Sequence, residues 1–128
     1  MKLRAQKSGL AVPATIAAVL PQDTLVAITG DRTVNKAGAD AVVIGRLSVP
    51  AKSSNGTGTV ETKFKELIEI KGSGALSAGA TVKMAAADGV TGENVVVAWA
   101  NATDEPQELF GIVWKGGGSG AVIEVLTY

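Results

Sequence analysis

The sequence has no cysteine and no histidine. Without cysteine there is no disulfide, no zinc–thiolate centre and no thiol nucleophile. Without histidine the commonest general base, the usual metal ligand and the near-neutral proton switch are gone. A Ser-His-Asp triad is impossible. Aromatic residues make up only 4% of the 128-residue chain, so the core must rest on Val, Ile, Leu and Ala. No stretch approaches the roughly 20 apolar residues needed to span a bilayer. Lys2 and Arg4 give a basic start, but Gln6, Lys7 and Ser8 interrupt it before any apolar run, so no signal peptide is expected.

What is present is apolar and β-rich. Hydrophobic residues reach 46% and charged residues 19%, enough to bury the core of one domain. The net charge is zero but unevenly spread. Residues 1–52 carry seven basic and three acidic side chains, a net of +4, whereas residues 88–128 carry one and six, a net of −5. Such a chain could pair head to tail with copies of itself or sit on a charged lattice; scattered solvated loops would give the same count.

The opening MKLRAQKSG has Lys2, Arg4 and Lys7 and no acid, and reads as a mobile basic arm. Short β-type runs follow, cut by Gly, Pro, Asn and Asp. Strands are expected at 12–19, 24–29, 41–49, 58–71, 81–84, 95–100, 109–115 and 121–126. The spacing predicts an all-β fold, a small antiparallel barrel or sandwich. Residues 1–22 form the arm and first edge strand, and 23–128 one barrel-like domain. Pro13 lacks an N–H and belongs at an edge or a bulge.

GTVETKFKELIEIKG alternates most clearly. Val60, Thr62, Phe64, Ile68 and Ile70 share one parity; Glu61, Lys63, Lys65, Glu69 and Lys71 share the other. Glu66 and Leu67 break the pattern, which predicts a bulge there. A helix over 61–71 is the competing reading, and a helical turn is open at 84–88.

The chain also echoes itself. Gly30–Val34 and Gly79–Val82 each give a Gly…Thr-Val step. Ile44-Gly45 and Phe110-Gly111 each begin an apolar run, and each half closes with a Gly-rich loop and a strand holding Val-Glu or Ile-Glu. This predicts two hairpin-like halves that close on one another to bury a shared face.

No chemical site emerges from the motifs. Gly116–Gly120 follows Lys115 and precedes a β-type run, whereas a phosphate loop needs Gly-Lys-Ser/Thr opening a helix. A hairpin loop is expected instead. Asp104, Glu105 and Glu108 are the densest acids, but they flank Pro106 in what reads as a solvated loop, without EF-hand spacing. Phe64 points away from Lys63 and Lys65 by parity, which argues against a base-stacking face. Trp114 is expected in the core, on the side of Phe110 and Ile112. Trp99, next to a polar loop, is the better interface anchor. The residues name no activity by themselves.

Val60–Lys63, Leu67–Ile70, Leu76–Lys83, Asp88-Gly89, Phe110–Val113 and Val122–Leu126 together give a pattern that resembles the small head decoration (cement) proteins of tailed bacteriophages. The resemblance covers about residues 24–128 and rests on turn glycines and alternating apolar positions. It implies a non-enzymatic virion protein on the outer surface of the head, made in the host cytoplasm. It implies no cofactor and no metal. The partners implied are the major capsid protein and the chain itself, as a homotrimer, with no nucleic acid and no membrane. Candidate interface residues are Lys2, Arg4, Lys7, Trp99, Asp104, Glu105 and Glu108. The alternatives are a tail or head–tail connector module, or a small carbohydrate- or nucleic-acid-binding barrel.

Overall fold

A computed structural model describes residues 2–7 by their main chain and residues 9–62 and 65–127 in full. The strands are β1 (Lys2–Lys7), β2 (Leu10–Ile16), β3 (Leu25–Gly30), β4 (Thr33–Lys36), β5 (Gly45–Val49), β6 (Gly56–Thr62), β7 (Lys65–Gly72), β8 (Thr81–Met84), β9 (Val95–Ala98), β10 (Gly111–Lys115) and β11 (Val122–Thr127). Among the described residues the one helical element is a 3-10 turn, Pro106–Glu108. The expected all-β fold is therefore present, built from two halves. The helix considered over 61–71 is absent, since its described residues lie in β6 and β7.

The strands close into two five-stranded barrels. The first runs β2-β4-β3-β5-β6 and closes by the β6–β2 pairing. The second runs β7-β11-β10-β8-β9 and closes by a parallel β7–β9 pairing. β1 adds a sixth strand to the second sheet, antiparallel to β7. The segment read as a mobile arm is thus a paired edge strand, because β7 presents it an open ladder.

The echo in the sequence is a duplication in space. β2 to β6 and β7 to β11 follow the same pairing scheme, each with one parallel pair among antiparallel ones. The registers agree residue by residue. Val26 faces Gly45 and Gly45 faces Thr62; Val82 faces Gly111 and Gly111 faces Thr127. Ile16 faces Val34 as Gly72 faces Val96. Single hydrogen bonds repeat too. The Asp23 N–H donates to the Leu47 carbonyl as Gly79 donates to Val113, both at 2.8 Å. Asn55 donates to Ile16 at 2.8 Å as Gly120 donates to Gly72 at 3.0 Å. Asp23 and Gly79, and likewise Asn55 and Gly120, are all left-handed in φ.

Part of the echo was in the wrong register. Val34 corresponds to Val96, and Val82 to Val26, so the two Thr-Val steps lie on different strands of the repeat. Ile44-Gly45 and Phe110-Gly111 do correspond.

Each barrel has its own apolar filling. Ile16, Val26, Val34, Leu47 and Val60 fill the first. Ile68, Ile70, Val82, Met84, Val96 and Val125 belong to the second cluster, which also takes in Leu25 and Ala37 from the first barrel. Val26 points inward and its neighbour Leu25 points out, as period-2 alternation requires. Burying Leu25 in the next barrel's core joins the halves, at roughly 2 kcal/mol for a fully buried leucine.

Polar contacts fix the junction. Asn94 accepts the Leu25 N–H at 2.9 Å and donates to the carbonyls of Leu25 and Ala37 at 3.3 and 3.4 Å. Lys36 Nζ reaches the Gly92 carbonyl at 2.8 Å. Both Gly92 and Asn94 lie on the long β8–β9 connection, whose counterpart between β3 and β4 is a two-residue turn, Asp31-Arg32.

Candidate functional site

The acidic connection between β9 and β10 is ordered by its own residues. Trp99 Nε1 donates to the Glu105 carbonyl at 3.0 Å. Glu105 and Glu108 form a capping box around the Pro106–Glu108 turn. Asp104 accepts from Lys83 Nζ at 2.6 Å and from the Ala100 N–H at 2.7 Å. Lys83 also meets Asp40 of the first barrel at 2.7 Å. The Lys83 ammonium and the Ala100 N–H hold the Asp104 carboxyl below the usual carboxylate range. Hydrogen bonds to Asp104 and Asp40 push Lys83 up.

Four sequence candidates, Trp99, Asp104, Glu105 and Glu108, therefore sit on one connection. Asp104 spends its charge inside the fold, so the cluster is not an open row of acids. Lys2, Arg4 and Lys7 lie on β1, and their side chains lie outside the described residues, as do Lys63 and Phe64. Among the described residues no group of His, Cys, Asp and Glu is arranged to hold a metal ion.

Trp114 is not in the core. It is 61% exposed, while Gly111 and Val113 face inward. A bulge between Val113 and Lys115 shifts the ladder, and the inner positions of the strand go to small and β-branched residues. Parity counted from the bulkiest side chains picked the wrong face. At Glu66-Leu67, where the pattern breaks, β7 pairs with β11 from Leu67 to Lys71 without a shift, and the irregularity lies in the other ladder, where β1 carries an extra residue between Leu3 and Ala5 opposite Ile68 and Leu67.

Two features had no signal in the motifs. The first is a buried charge cluster at the junction. Arg46 on β5 donates to Glu66 at 2.6 Å, Asp23 at 2.7 Å and Glu61 at 2.9 Å. Glu66 holds the buried parity of β7, and its Oε2 has no hydrogen-bond partner among the described residues. Burial pushes the Glu66 carboxyl up, against the pull of Arg46. Arg46 thus joins carboxylates of both barrels at the junction.

The second is an open cavity of about 630 Å³ between the mouth of the first barrel and the β9–β10 connection. That is within the range of binding pockets. Val12, Ala14, Val34, Ile44 and Val60 line it from the first barrel together with Ile28, and Gln107 and Leu109 line it from the β9–β10 connection. Arg32 is the only charged residue among those lining it. The repeat explains why the cavity is there. Val12, Ala14, Ile28 and Ile44 correspond to Ile68, Ile70, Met84 and Phe110. In the second barrel those four are buried and the mouth is filled. In the first, Val12, Ala14 and Ile44 are smaller than their equivalents and Ile28 is 65% exposed.

No family model and no curated protein matches the chain. Among solved structures, the N base of the head fiber gp8.5 of bacteriophage phi29 is similar, with a TM-score of 0.56 at 14% identity. The match covers 93% of this chain and 93% of that one. At that identity the likeness is one of fold, and it takes in both barrels.

Proposed function

We propose that this chain is a structural protein of a bacteriophage virion, attached to the outer surface of the head, where it ties neighbouring major capsid subunits together. The observation that carries this reading is the two-barrel fold, similar over nearly its whole length to a phage head fiber base. The chain's chemistry is in keeping with it. There is no histidine or cysteine to run a reaction, and the acids that stand out in the sequence are engaged in ion pairs and caps. No enzymatic activity is assigned. The partners are the major capsid protein and further copies of this chain, as a trimer. Three linked subunits hold a lattice through individually weak contacts, because effective concentration replaces affinity.

The test is add-back. Purified protein is mixed with heads lacking it and the pellet is assayed for a fixed ratio to shell protein. Saturation at that ratio, with density on the head exterior by electron microscopy, is the expected result. Failure to co-sediment at low salt refutes it. The fiber-base likeness supports a second reading, in which the chain anchors a projecting fiber. Density extending well beyond the two barrels on intact virions would favour that one.

A further inference from the structure

The two barrels differ at one edge. In the second, β1 pairs antiparallel with β7 along Lys65–Glu69. By the shared register, Glu66–Glu69 corresponds to Leu10–Pro13 of β2. There, among the described residues, no strand takes the place of β1. The N–H groups of Thr15 and Ala17 donate to Arg32 and Val34, so odd-numbered residues of β2 aim their main chain at the β4 side. β4 pairs only with Thr15 and Ile16. Ala11 and Pro13 therefore present main-chain groups to an open edge, and Val12, Pro13 and Ala14 line the cavity beside it. Pro13 removes one donor from that edge, as edge prolines do. The Ala11 N–H and two carbonyls remain.

The side chains say what would fit. Glu69 of β7, opposite Lys2 of β1 in register, corresponds to Pro13, and Glu66, which turns inward to Arg46, corresponds to Leu10, so apolar residues stand in place of both acids at the open edge. Leu10 is 68% exposed. Arg32, at the rim, has no carboxylate among the lining residues. A copy of the basic β1 sequence would bring Lys and Arg toward Arg32. We infer that the open edge of β2 and its cavity receive an extended aliphatic segment of another protein, added antiparallel to β2, with a carboxylate set against Arg32. Strand addition supplies main-chain hydrogen bonds, and alternate side chains enter the cavity where Ile68, Ile70 and Phe110 fill the second barrel. That the partner is a protein of the phage particle rests on the function proposed above; the groove does not.

The probe is the acetylated, amidated peptide Val-Thr-Val-Thr-Val-Glu, titrated into the full chain and followed by amide shifts of Ala11, Val12 and Ala14. Two controls are a version ending in Lys and the basic peptide Lys-Leu-Arg-Ala-Gln-Lys. The Glu peptide should saturate and the basic one should not. Ala14→Ile, or Val12→Ile if the first fails to fold, fills the cavity and should weaken binding by ~10-fold or more. Arg32→Glu should reverse the preference between the Glu and Lys peptides. No saturation by the Glu peptide at millimolar concentration, or equal affinity in the filled variants, overturns the inference. Tighter binding of the basic peptide overturns it in favour of strand exchange between copies. None of these outcomes depends on add-back to heads, so the two readings fail separately.

Discussion

Gly45 and Gly111 stand at the same point of the two barrels, each against the carbonyl of a facing strand. A β-carbon on Gly45 would lie 2.1 Å from the Glu61 oxygen, and one on Gly111 2.4 Å from the Leu126 oxygen. Both atoms are main chain and cannot step aside. Gly45→Ala and Gly111→Ala should each lower stability by about 2–3 kcal/mol, in the upper range of overpacking costs. Urea unfolding of the two variants checks it. Equal and large losses are expected from two sites far apart in sequence, and a neutral result at either denies the shared close approach.

The second pair of equivalents is Asn55 and Gly120, with φ of 61° and 78°. The left-handed region costs a branched residue roughly 1–2 kcal/mol and asparagine much less. Gly120→Asn should therefore be nearly neutral, since the other barrel already uses Asn there, whereas Gly120→Val should cost about 1–2 kcal/mol. Gly117 and Gly118 carry no such requirement. Melting curves of the two variants suffice; if Asn is as costly as Val, the loop is not governed by this one dihedral.

β1 supports the β7 edge. Removing residues 1–7 should leave both barrels closed, because β1 belongs to neither ring. It should deprotect the β7 amides that face β1, read by hydrogen exchange. Unchanged protection would mean that the β1–β7 ladder is not populated in solution.

Alternation made the barrel strands legible, because period 2 survives wherever one face is buried. Glu66 shows the limit. Its parity is that of Ile68 and Ile70, but a carboxylate there reads as a break until Arg46, 20 residues away and in the other barrel, is seen to meet it. Trp114 misled for a related reason. Bulk was taken for burial, whereas a bulge and an inward glycine turned the tryptophan out. The three acids of the candidate loop, Asp104, Glu105 and Glu108, were visible as charges, but not the lysine, Lys83, that pairs with Asp104 from β8. The cavity left no mark at all. It is the difference between Ala14 and Ile70, which only the register of the repeat brings into comparison.

Lys83 and Asp104 set a pH window for the β9–β10 connection. The Asp104 carboxyl is held below its ordinary value, so its contribution is complete above about pH 4 and is lost as pH falls through the lower native value. Lys83 is raised, so its contribution is complete below about pH 10 and is lost as pH rises beyond that. Trp99 fluorescence, in a Trp114→Phe background, should be flat between these limits and change outside them. In Asp104→Asn the acid-side change should disappear. If it persists unaltered, another group orders the loop.

Arg46 and Glu66 should respond in the opposite sense. Arg46→Met leaves Glu66 buried without its partner and Asp23 and Glu61 beside it, which should cost about 3–5 kcal/mol at pH 7. The native value of the Glu66 carboxyl lies above its ordinary one, so this group favours the native state as pH falls through that interval. Losing Arg46 removes the hydrogen bond and charge that pull it down, which widens the interval. Arg46→Met should then recover part of its loss between pH 7 and pH 5. Glu66→Gln keeps an acceptor for Arg46 Nε and leaves the guanidinium with Asp23 and Glu61, so its cost should be about 1 kcal/mol. The double variant should be more stable than Arg46→Met at pH 7 and should show no acid recovery. Urea unfolding of the four proteins at the two pH values decides. A recovery that survives in the double variant assigns the titration to a group other than Glu66, and a neutral Arg46→Met would mean that the remaining junction contacts hold the barrels together without this ion cluster.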